Sequence, residues 1–64
     1  MRAMSKTELL SARGELRRAD TMLARARGIF ISAGAVQGAA AVNAIIGRVG
    51  DLIARIDRAL AGKP

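Results

Sequence analysis

The side chains able to do chemistry are few in kind. The acids are Glu8, Glu15, Asp20, Asp51 and Asp57, the bases are eleven lysines and arginines, and His, Cys and Tyr are absent. No imidazole is therefore available as a general base, and no thiol or phenol offers itself as a nucleophile. Glu8 and Glu15 share a helix face, but seven residues separate them. That is about 10 Å of helix axis, too far for one acid–base dyad. A structural role suits the acids better: Glu8 caps a helix, Glu15–Arg18 and Arg17–Asp20 pair at i,i+3, and Asp51–Arg55 pairs at i,i+4. Zinc has neither Cys nor His to hold it. Gly34-x-x-x-Gly38 lacks the following Lys-Ser or Lys-Thr of a phosphate loop. The expectation is a protein without catalytic, metal or cofactor residues that acts by binding.

The charge balance says what it would bind. Net charge is +6, which favours nucleic acid, anionic lipid or an acidic protein surface. Arg13, Arg17, Arg18 and Arg25 fall on one side of a single helix over about 18 Å of its axis, an acidic-partner face. Glu15 and Asp20 interrupt it, and Phe30 is the only aromatic residue. Without stacking aromatics or a helix-turn-helix signature, a solvated face is the stronger reading. Nucleic-acid binding or packaging is kept as an alternative.

These residues need helices to position them. Ser5-Lys6-Thr7-Glu8 has the spacing of a capping box, and no Pro follows until Pro64. Leu9, Leu16, Leu23 and Phe30 recur every seven residues, with Ala12, Ala19 and Ala26 between them. Large residues alternating with Ala suit two helices packed closer than in a leucine zipper. The second half has its own heptads. Val42, Val49 and Ile56 form one row, Ile45, Leu52 and Ala59 another, and Ile46, Ile53 and Leu60 a third. The helix-packing interface is assigned to Leu9, Ala12, Leu16, Ala19, Leu23, Ala26 and Phe30 against Val42, Ile45, Val49, Leu52 and Ile56. Gly62-Lys63-Pro64 reads as a helix stop.

The two sets of heptads are out of phase where Gly28, Ser32, Gly34 and Gly38 cluster. A phase break marks a turn or a stutter. The fold expected is all-α: one small domain, an antiparallel two-helix hairpin. Its helices run from about 5 to 31 and 35 to 61, with a turn near 32–34. One long kinked helix is the alternative.

Between Arg27 and Arg48 lie twenty residues without a charge, long enough to cross a bilayer. Gly34 and Gly38 with Ala40 and Ala44 would suit helix contact in lipid. Against a span stand Gln37 and Asn43, the weakly apolar Ala and Gly content, and the lack of flanking Trp or Tyr. A membrane-embedded or membrane-active protein spanning at 28–47 is therefore the second choice.

Sixty-four residues bury little on their own, and neither disulfide nor metal is available to help. Self-association into a helical bundle is the expected remedy. The basic start is not followed by an apolar run, so it does not read as a cleaved signal peptide, and a cytoplasmic origin is expected. A virion-associated or membrane-associated location would follow from the alternatives. The Ala/Gly/Arg texture is common in small proteins of phages and GC-rich bacteria. With its apolar middle it is loosely similar to the helical coat proteins of filamentous virions, although those start acidic and this chain starts basic. The functional expectation is a small assembly or adaptor protein, of a kind that phages and mobile elements encode.

Overall fold

The computed structural model describes residues 3–62 and is all-helical: α1 (Lys6–Ser32) and α2 (Val36–Leu60) pack against each other as a hairpin. The α1 start follows the capping-box logic. The Glu8 N–H donates to Ser5 Oγ at 3.1 Å, and the Ser5 N–H donates to Glu8 Oε1 at 2.8 Å. Two of the four donors that a helix start leaves unpaired are thereby satisfied.

The end of α1 is equally local in origin. Gly34 takes φ +75°, a left-handed conformation that suits glycine. Its N–H donates to the Ile31 carbonyl at 3.1 Å, and the Ala35 N–H donates to the Phe30 carbonyl at 2.8 Å. This pair of bonds is the Schellman arrangement that ends helices at glycine. Ala35, at φ −83° and ψ 76°, then forms an inverse γ-turn in which the Val36 N–H donates to the Gly34 carbonyl at 3.0 Å. Three residues, Ala33 to Ala35, thus reverse the chain. At the other end α2 closes on Ala61 and on Gly62, which has φ +71°. Lys63 and Pro64 of the expected stop lie outside the described residues.

The turn divides the uncharged middle, leaving Gly28–Ser32 on α1 and Val36–Gly47 on α2. A span at 28–47 would need one continuous helix, so that reading is corrected. Among the described residues no helix is long and apolar enough to cross a membrane. The single kinked helix is likewise replaced by the hairpin.

Two contacts mark the antiparallel register. Arg13 on α1 meets Asp57 on α2; fourteen residues further along α1, Arg27 meets Asn43, fourteen residues back along α2. The half-buried row of α1 contains Leu9, Ala12, Leu16, Ala19, Leu23 and Ala26, as its heptad implies. That of α2 contains Val42, Ile46, Val49, Ile53, Ile56 and Leu60. Ile45 and Leu52, assigned to the interface from sequence, are instead 46% and 45% exposed. Both choices share Val42, Val49 and Ile56, and they differ in which neighbouring row completes the stripe. Ile46, Ile53 and Leu60 bring three large aliphatics, whereas the row of Ile45 and Leu52 ends in Ala59. Burying the former removes more apolar area from water.

Phe30 sits at the edge of the contact, 37% exposed, with its ring laid over Gly38. A Cβ on Gly38 would come within 2.8 Å of the Phe30 ring. The absence of a side chain there lets the two helices meet next to the turn.

Candidate interaction surface

The hairpin has two long flanks where α1 and α2 meet. On one flank the Arg13 guanidinium donates to Asp57 Oδ1 at 2.9 Å, and the Arg27 guanidinium donates to Asn43 Oδ1 at 2.7 Å. Half-buried Asp20 lies between these arginines on the same side of α1. This flank is closed by polar bonds from helix to helix.

The opposite flank is apolar. At 100° per residue, Ile45 and Leu52 lie roughly 120–180° around α2 from Asn43 and Asp57. Ala12, Ala19 and Ala26 lie about 100° around α1 from Arg13, Asp20 and Arg27. Because the helices are antiparallel, these two rows meet along one side. They form a low, alanine-floored strip with Ile45 and Leu52 standing out of it and Phe30 at its turn end. Exposed Met22 flanks it on α1. Arg48, Asp51, Leu52 and Arg55 line a surface depression of about 220 Å³ beside it.

The arginines assigned to an acidic-partner face are placed differently from one another. Arg13 is drawn into the interhelical pair with Asp57, its side chain only 29% exposed. Arg18 is exposed and donates to Glu15 Oε1 at 3.0 Å, while Arg17 and Arg25 are exposed on α1. The Arg17–Asp20 and Asp51–Arg55 pairs expected from spacing do not form; Arg18–Glu15 does. Long side chains in water gain little from such pairs, so spacing alone does not enforce them. Among the described residues, no three of the acids come together as a group able to hold a metal ion.

Asp57, Asn43 and Arg27 carry the polar contacts between helices, and sequence reading singled out none of them as interhelical. Asp57 is 44 residues from Arg13, so no local pattern could pair them. Asn43 did carry a signal, as a polar residue inside an apolar helix.

Compared with family models, with curated proteins and with solved structures, the chain shows no significant match.

Proposed function

We propose that this is a small helical assembly or adaptor protein, without enzymatic activity, that works by self-association and protein–protein contact through its apolar flank. The observation carrying this reading is that none of the described residues is fully buried, while Ile45, Leu52 and Met22 stand exposed on or beside one flank. A compact protein of 6.7 kDa exposes roughly 3,900 Å². This chain exposes 4977 Å². The excess is the surface of a two-helix layer lacking a second layer, and domains are ordinarily built of two.

A second copy supplies such a layer with the same chemistry. Alanines at Ala12, Ala19 and Ala26 allow close approach, and Ile45 and Leu52 fill the space between. Glu15, which also accepts from Arg18, borders the strip on α1, and Arg48, Asp51 and Arg55 border it on α2. Related by a two-fold axis along the hairpin, two copies place Glu15 of each at the level of Arg55 of the other.

Sedimentation equilibrium of the purified protein, with and without detergent, tests this. The expected result is a dimer or larger assembly in plain buffer, dissociating on dilution. A folded monomer at every concentration rejects the proposal.

A further inference from the structure

The turn end of the hairpin differs from both flanks. Ile29, Ile31 and Val36 surround it and are 71%, 62% and 77% exposed. Ile29 and Ile31 lie about 200° apart around α1, on opposite sides of the helix. Apolar side chains therefore stand on more than one side of this end, with the polar Ser32 and Gln37 exposed among them.

Its charges are ordered along the hairpin. Moving away from the turn on α1, Arg27 and then Arg25 come first, and the first acid is Asp20. On α2, Arg48 comes first, and the first acid is Asp51. On both helices the charges nearest the turn are cations. Arg27 bonds the neutral Asn43, so its charge is not cancelled. Arg25 is exposed. From Ser32 back to Arg27 and Arg25 is about 8–10 Å of helix, the depth to which apolar groups enter the boundary between headgroups and acyl chains.

We propose that this end docks on an anionic lipid surface, with Ile29, Ile31 and Val36 entering the acyl boundary and Arg25 and Arg27 held at the phosphate level. Apolar groups spread over more than one side suit a fluid boundary, which can reach each of them while leaving Ser32 and Gln37 at the headgroups, better than a flat protein face. Arg25 and Arg27, both on α1, favour anionic headgroups, each basic side chain adding to the attraction at the surface. Ser32 and Gln37 are neutral, so neither opposes the approach by charge. The hairpin dips into one leaflet without crossing it. This docking uses the turn and not the apolar flank, so it stands independently of self-association.

Flotation of the full-length protein with vesicles tests it. Co-flotation is expected with phosphatidylcholine vesicles containing phosphatidylglycerol, and much less with phosphatidylcholine alone. Added salt should weaken the binding. The double variant Ile31→Glu, Val36→Glu should lower partitioning at least tenfold while far-UV circular dichroism stays unchanged, because both side chains are exposed. Arg25→Gln should lower it roughly fivefold at low salt. Failure to float with anionic vesicles at low salt overturns the proposal. So does binding that the turn substitutions leave unchanged. If the double variant alters sedimentation and the parent does not float, the turn is a contact between protein copies, and lipid docking is rejected.

Discussion

The two flanks of the hairpin are built from the same pair of helices and do opposite things. One is stitched by Arg13–Asp57 and Arg27–Asn43, bonds that run from helix to helix. The other carries Ala12, Ala19 and Ala26 beside exposed Ile45 and Leu52. Polar bonds of defined length specify register, because a one-residue slip separates both pairs at once. Apolar contact does not discriminate so finely, and it gains most where more area is removed from water. The stitched flank thus joins α1 to α2 at one register, and the apolar flank remains available for something else.

The largest effect should come from removing that availability. Ile45→Glu with Leu52→Glu puts two charges on the apolar flank while leaving the half-buried row of Val42, Ile46, Val49 and Ile53 untouched. The two side chains are already partly exposed, so each should contribute about 0.5–1 kcal/mol to association, once in each copy. Dimerisation should weaken on the order of a hundredfold, with helicity retained. The same measurement on an Arg13→Ala variant should show association little changed. If the two variants dissociate equally, the flanks do not differ in role.

A smaller effect tests how each flank accepts volume. Gly38→Val at the turn end of the apolar flank meets the Phe30 ring, which lies 2.8 Å from where Cβ would stand. Overpacking of this kind costs about 1–3 kcal/mol. Gly50 lies on the stitched side of α2, and an added Cβ there meets nothing within 4 Å. Gly50→Ala should stabilise by about 0.5–1 kcal/mol through helix propensity alone. Urea melts of both variants check the contrast, and the same sign for the two would remove it.

What could be read from sequence was local. Ser5 with Glu8 announced the start of α1, and the cluster around Gly34 announced the turn, because each acts on the backbone within a few residues. The α1 seam was legible because Leu and Ala alternate in a single heptad. The α2 seam was ambiguous because three apolar rows lie side by side. Which two face α1 depends on where α1 lies, and no periodicity within α2 contains that. Arg13 was assigned to a partner face for the same reason: its partner, Asp57, comes 44 residues later. The uncharged middle had the length of a membrane span, and only the chain reversal at Gly34 turns that length into the two sides of one end.

The finest test asks whether the stitched flank supplies stability or register. The Arg13–Asp57 pair is partly exposed, with side chains 29% and 45% accessible. Exposed pairs contribute about 0.2–1 kcal/mol, and salt screens them. A double-mutant cycle of Arg13→Ala and Asp57→Ala should therefore give a coupling within that range, falling as salt is added. Register responds differently. With Arg27→Ala added to Arg13→Ala, both stitches are gone, and only the apolar stripe holds α1 against α2. A disulfide trap reads this directly: cysteines replacing Leu9 and Leu60 in one variant, or Leu9 and Ile56 in another, should cross-link in one register and not in its neighbour. In the stitched parent one pair should form faster by a wide margin, and in the Arg13→Ala, Arg27→Ala background the two rates should approach each other. If the preference survives the loss of both arginines, shape in the Leu/Ala seam sets the register, and the polar bonds merely follow it.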